Sequence, residues 1–100
     1  MARIIFTTMY QVHSALRTSY LSLADDMKKY FLDQKNIDFS VYEQKGKENN
    51  FSEVFIFENE EEFETYEDGK DEQWAQLEHR LEEYVLDGKM QYSVLIESVE

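Results

Sequence analysis

The sequence predicts an α+β fold, a four-stranded antiparallel sheet with helices on one face, and three observations predict it. Four runs rich in β-branched and aromatic residues alternate with a period of two. Two other segments change to a period near 3.6. Their order is strand, helix, strand, strand, helix, strand.

In the first strand, Arg3 to Val12, Ile5, Thr7 and Met9 alternate with Ile4, Phe6, Thr8, Tyr10 and Val12, so both faces are apolar enough to be covered. Ser14 stands where an N-cap belongs. From Leu16 to about Gln34, the residues Leu16, Tyr20, Leu23, Ala24, Met27, Tyr30 and Phe31 fall on a stripe about 120° wide, with Arg17, Asp25, Asp26, Lys28, Lys29 and Asp33 off it. Asn36 suits the C-terminal end of that helix. Ile37 to Gln44 and Phe51 to Phe57 read as a hairpin joined by the polar link Lys45-Gly46-Lys47-Glu48-Asn49-Asn50.

Asn59 is placed to cap a short helix, Glu60 to Glu67, with Glu60, Glu61 and Glu62 in its favoured first turn. Gly69 interrupts, and a longer helix runs from Asp71 to Leu86 with Trp74, Leu77, Leu81, Tyr84 and Val85 on its apolar line. Asp87-Gly88 ends it. Lys89 to Val99 is the last strand, with Met90, Tyr92, Val94 and Ile96 on one face and Leu95 and Val99 on the other. The whole chain, 1–100, reads as one ferredoxin-like βαββαβ domain, with two helical crossovers on one face of the sheet.

Composition narrows the function classes. With 22 acidic against 10 basic side chains the net charge is −12, and 13 of the acids lie between Glu58 and Asp87 against only Lys70 and Arg80. Such a surface repels phosphate backbones and anionic membranes, so neither nucleic acid nor membrane is an expected partner. No cysteine is present for a disulfide, a thiolate metal site or a cysteine nucleophile. The first residues enter a strand directly, without a signal-peptide core, and no run approaches the ~20 apolar residues of a membrane span, which predicts a cytoplasmic protein.

Two helical crossovers cover only one side of four strands. If the aliphatic set Ile5, Val41, Ile56 and Val94 faces them, the other side carries Phe6, Tyr10, Tyr42, Phe55, Phe57 and Leu95. A patch of that kind is larger than monomers leave in water, and a second copy packed by two-fold symmetry is the simplest cover. A homodimer is expected.

The passage Phe55-Ile56-Phe57-Glu58-Asn59-Glu60-Glu61-Glu62-Phe63, a strand running into an acidic helix start, followed by Tyr66 and Trp74, resembles the dimeric α/β-barrel superfamily. Its members include antibiotic-biosynthesis monooxygenase-like, haem-degrading and NIPSNAP-like proteins. The resemblance implies a dimeric α/β barrel with a pocket in each subunit between sheet and helices, used in some members to oxygenate aromatic substrates or haem. The asparagine that such enzymes tend to carry on the first strand is absent, Thr7 and Thr8 standing there instead. His79 is turned about 140° from Trp74 on its helix.

Individual residues are weighed against plainer roles. His13, between the first strand and the first helix, is the better placed histidine for proton transfer and otherwise a loop residue. His79 among Glu78, Glu82 and Glu83 reads as a solvated helix face rather than a metal site. Tyr66 to Glu72 fails the spacing of a calcium loop, and no phosphate-cradling glycine motif or nucleophile elbow exists. Trp74 is either a core anchor or a pocket wall shared with Tyr20, Tyr66 and Tyr84, where aromatic rings would stack on a flat ligand.

The expectation is a dimeric protein holding a small aromatic or apolar ligand between sheet and helices, with a monooxygenase-like activity and His13 as proton carrier. No particular cofactor is indicated. The alternatives are a non-catalytic dimeric binding module, or an acidic face that docks on a basic protein.

Overall fold

A computed structural model describes residues 2–98. β1 (Ile4–Val12) leads through a 3₁₀ turn (Ser14–Leu16) into α1 (Arg17–Lys28), which continues as a π-helical stretch (Lys29–Gln34). β2 (Asp38–Glu43) and β3 (Asn50–Phe57) form the hairpin, followed by α2 (Glu60–Asp68), α3 (Glu72–Tyr84) and β4 (Val85–Ile96). The sheet order is β2-β3-β1-β4, with every neighbouring pair antiparallel. This is the ferredoxin-like α+β arrangement read from the sequence, with the second crossover split into two helices, so that three helices lie against one face. Among the described residues no helix is long and apolar enough to cross a membrane.

Local chemistry fixes the helix ends. The Asn59 side chain accepts the Glu62 N–H at 2.9 Å, and the Glu62 carboxylate accepts the Glu58 N–H at 2.8 Å. Asp71 caps α3 by accepting the Trp74 N–H at 2.9 Å. Gly69 closes α2, and a Cβ there would lie 3.0 Å from the Thr65 carbonyl oxygen, a tight contact that the backbone would have to relieve. Asn36 takes the left-handed conformation, φ 54°, that ends the first helical run. Ser14 makes no side-chain cap; α1 is entered through the 3₁₀ turn instead.

Tyr30 and Phe31, both on the expected stripe, are both buried, although the helix there is a π-helical stretch. One feature departs from the periodicity. β4 begins at Val85, not Lys89. Asp87 (φ 56°) and Gly88 (φ 63°) form a bulge that lets pairing resume from Val12↔Val85 to Tyr10↔Met90. The expected end of that strand, Val99, lies outside the described residues.

The faces of the sheet are the reverse of the expectation at six positions. Phe6, Tyr10, Phe55 and Phe57 face the helices, while Ile5 and Ile56 lie on the open side. Val41 and Val94 share the helix-facing registers, and Tyr42 and Leu95 are on the open side, as expected. The reason is volume. Rings on the sheet interlock with Tyr20, Phe31 and Tyr66 from the helices, and Trp74 packs on Phe31 and Tyr66 in turn, filling a gap that valine and isoleucine would leave loose. The open side is left with Ile5, Val54 and Ile56 half-buried and Met9, Tyr42 and Leu95 exposed.

Candidate functional site

The helix-facing side is built in rows across the strands. One row is Phe39, Phe55, Phe6 and Val94; another is Glu43, Phe51, Tyr10 and Met90. Between them runs Val41, Glu53, Thr8 and Tyr92. Thr8 and Glu53 thus sit side by side as the two buried polar residues among the described residues, at 5% and 6% exposure, between rows of rings.

Over that row lies a cleft of about 110 Å³. Its floor is Phe6, Thr8, Glu53 and Phe55, with Met90 and Tyr92 towards β4. Met27 from α1, Phe31 from the π-helical stretch, Tyr66 from α2, and Trp74, Leu77, Glu78 and Leu81 from α3 form the roof, and Lys70 stands at the rim. A larger, open hollow of about 820 Å³ lies beyond Tyr66, between the start of β2 and α2. It is mostly surface, and the buried polar groups converge on the smaller cleft.

Glu53 is the chemical centre of the cleft. The Tyr10 phenol donates to its Oε2 at 2.6 Å, and the Tyr20 hydroxyl lies 2.8 Å from that of Tyr10. Its Oε1 takes no protein hydrogen bond among the described residues, and no lysine, arginine or histidine pairs with it. Burial raises its pKa to about 7; the Tyr10 hydrogen bond opposes the rise and the charge of Glu78 adds to it. Tyr10, Tyr20 and Tyr66 are all held above the ordinary phenol range, burial being the main cause in each.

The residues singled out in the sequence divide. Tyr66 and Trp74 line the cleft together, their rings 4.8 Å apart. Trp74 also packs edge-on against Phe31 at 5.5 Å, so one side chain serves both as anchor and as wall. Tyr20 is fully buried outside the cleft and reaches Glu53 only through Tyr10. Tyr84 and His13 are elsewhere: the exposed His13 is tied by its backbone N–H to the Tyr84 carbonyl, and neither lines the cleft. His79 is exposed and 3.8 Å from Glu82.

Sequence reasoning passed over Glu53. The signal was present: Phe51, Glu53, Phe55 and Phe57 share one phase of a strand, and a lone carboxylate in an aromatic phase is expensive unless it has a task.

No family model matches the chain, and no curated protein matches its sequence. Solved structures do match by fold. SnoaB, a cofactor-independent oxygenase from Streptomyces nogalater, superposes with a TM-score of 0.77 at 11% identity over 100% of this chain and 97% of its own. A provisionally assigned antibiotic biosynthesis monooxygenase from Caulobacter crescentus gives 0.78 at 12%, covering 99% and 92%. An uncharacterized NIPSNAP domain protein from Burkholderia xenovorans gives 0.72 at 12%, covering 95% and 94%. The fold is therefore that of the monooxygenase-like and NIPSNAP proteins, and at these identities the likeness is one of fold alone.

Proposed function

We propose that this protein is a homodimer whose cleft binds a small aromatic or apolar ligand, and that Glu53 takes a proton from that ligand in a monooxygenase-like reaction. One observation carries the proposal: a carboxyl buried among rings, with one free oxygen in the cleft and a pKa raised to about 7. A base of that strength is charged about half the time at neutral pH and strong enough to accept a proton in a transition state. Removing a proton from an activated C–H leaves an electron pair that can reduce dioxygen. A CH₂ group and one O₂ then give a carbonyl and one water, a balanced change that needs no further reductant.

Size restricts the ligand. An apolar cavity of ~150 Å³ admits benzene, and a cleft of about 110 Å³ is smaller than that, so it takes at most one ring and no fused system. Tyr66 and Trp74 would hold that ring, with Tyr10 and Tyr20 orienting Glu53 from behind. The dimer is supported by the open sheet face, where Met9, Tyr42 and Leu95 are exposed beside Ile5, Val54 and Ile56. Light scattering should return twice the 12.0 kDa of the chain, and a monomeric mass would sink that part.

The test of the cleft is oxygen uptake and Trp74 fluorescence with a panel of one-ring phenols and benzylic ketones. Turnover should rise through about pH 7 and fall at least ~100-fold in Glu53→Gln. Unchanged turnover in that variant would overturn the role of Glu53. A second reading, binding without turnover, is favoured by the neighbours of Glu53: Tyr10, Tyr20 and Tyr66 all hold their protons more tightly than an ordinary phenol, so none is tuned to hand one back. Saturable fluorescence changes without oxygen uptake would select it.

A further inference from the structure

The cleft contains a buried acid and lacks its counter-charge. Ionised carboxylates are taken out of water at great cost unless paired, and Glu53 has only one phenol for company. The groups facing it are Tyr10 from β1, Tyr20 from α1, Tyr66 from α2, Glu78 from α3 and Tyr92 from β4, with Lys70 at the rim. Of these only Lys70 is cationic. Its Nζ stands 4.7 Å from the Trp74 ring centroid rather than on any carboxylate, since among the described residues it forms no ion pair.

The remaining wall is aromatic. Phe6, Phe31, Phe55, Tyr66, Trp74 and Tyr92 surround the space in front of Glu53, and the faces of such rings carry negative potential. Glu78 at the wall and a net charge of −12 add to the same sign. Lys70 on Trp74 is an internal example of what this wall attracts.

We propose that the cleft is a site for a small organic cation, a quaternary or fully N-methylated ammonium group seated between Glu53 and the aromatic walls. The inference rests on the cleft being a ligand site, as proposed above, and not on turnover. A bare ammonium carries three N–H groups that need acceptors, and a divalent metal needs several oxygen ligands. This cleft is mostly ring and aliphatic carbon, with Glu53 buried at its floor and Glu78 at its wall as its two carboxylates. A methylated nitrogen needs no hydrogen bonds, takes its attraction from the rings and the carboxylate, and suits a space of about 110 Å³.

The proposal also fixes a pH dependence. A bound cation favours the charged form of Glu53, so binding should strengthen as pH rises through about 7.

Trp74 is the single tryptophan of the chain, so its emission reports on this wall directly. The experiment titrates the full-length protein with choline, with its uncharged isostere 3,3-dimethyl-1-butanol, and with phenol as a neutral ring. Each titration is run at about pH 8 and about pH 5.5 at constant ionic strength. Choline is expected to bind at least ~10-fold more tightly than the isostere at the higher pH. Most of that preference should vanish at the lower pH and in Glu53→Gln, whose fold is checked by circular dichroism. Because the wild-type pH comparison needs no variant, a misfolded Glu53→Gln leaves the test intact. Equal or weaker binding of choline than of the isostere overturns the cation proposal. If phenol still binds in that case, the small-ligand cleft survives it. If none of the three moves the Trp74 emission, both readings fail.

Discussion

Tyr10 meets Glu53 and Tyr30 meets Asp71 by the same contact, a phenol O–H 2.6 Å from a carboxylate oxygen, yet the two carboxyls move in opposite directions. Glu53 is pushed up to about 7 by burial. Asp71 is held well below the usual carboxylate range, first by Lys35 at 2.8 Å, then by the Tyr30 phenol and the Trp74 N–H. One hydrogen bond does not decide the charge state of an acid; the count of donors and the access to water do. Asp71 is a structural acid that ties α3 to the end of the first helical run. Glu53 is kept short of partners on the side that faces the cleft, and it is this shortage that makes it a candidate for chemistry or for a charged ligand.

The largest effect expected from this contrast is on stability at Glu53. Its folded pKa is raised above the ~4.3 of a free glutamate, so the folded state holds the proton more tightly than the unfolded chain. Stability contributed by the neutral acid is full below the unfolded value, is lost as pH rises to about 7, and is flat beyond. Glu53→Gln removes that loss. Relative to wild type the variant should gain roughly 3 kcal/mol between about pH 4 and about pH 8, measured by urea unfolding at fixed protein concentration. A gap between the two proteins that stays constant with pH would show Glu53 to be solvated.

Tyr10→Phe sharpens the contrast by removing one donor from the acid that has only one. The hydrogen bond favours the charged form, so its loss should raise the Glu53 pKa by about one further unit. A carboxyl carbon NMR titration reads this directly, and an unchanged or lower value would refute the assignment of Tyr10 as the orienting group. Asp71→Asn is the control on the other pair. A depressed acid contributes stability that is present above its unfolded pKa and lost as pH falls through the folded one. The variant should therefore melt below wild type at about pH 6, with the two curves converging as the pH drops below the usual carboxylate range. Asparagine can still accept the Trp74 N–H and the Tyr30 hydroxyl, so the difference isolates the Lys35 charge. Melting curves that do not converge in acid would remove Asp71 from the account.

These two acids also mark how far the sequence could be read. Element order, the capping role of Asn59 and the break at Gly69 were legible because each rests on neighbours in the chain. The faces of the sheet were not: β1 is apolar in both phases, so periodicity alone leaves the choice open. The deciding residue lies on β3, where Glu53 in register with Thr8 shows which phase had to build a polar site. The Asp87-Gly88 bulge that starts β4 early inserts residues out of phase and so breaks the repeat used to find it, whereas the π-helical stretch leaves Tyr30 and Phe31 on the side that the period assigned them. Trp74 was found by its rarity, while Glu53 was hidden by its abundance, as one of 22 acids.

The smallest expected effect lies one hydroxyl further from the cleft. While Glu53 is charged, Tyr10 spends its only proton on it, so Tyr20 must donate to the Tyr10 oxygen. When Glu53 is protonated its O–H can donate to Tyr10, which then donates to Tyr20, and the chain reverses. In the charged state the Tyr20 donation polarises Tyr10 and strengthens its bond to the carboxylate. Tyr20→Phe should therefore raise the Glu53 pKa in the same direction as Tyr10→Phe but by only a few tenths of a unit. It should also cost about 1 kcal/mol of stability for the lost buried hydrogen bond. A Tyr20→Phe shift as large as that of Tyr10→Phe would mean that the two phenols hold Glu53 as a unit, and that the acid is less isolated from its own protein than its single contact implies.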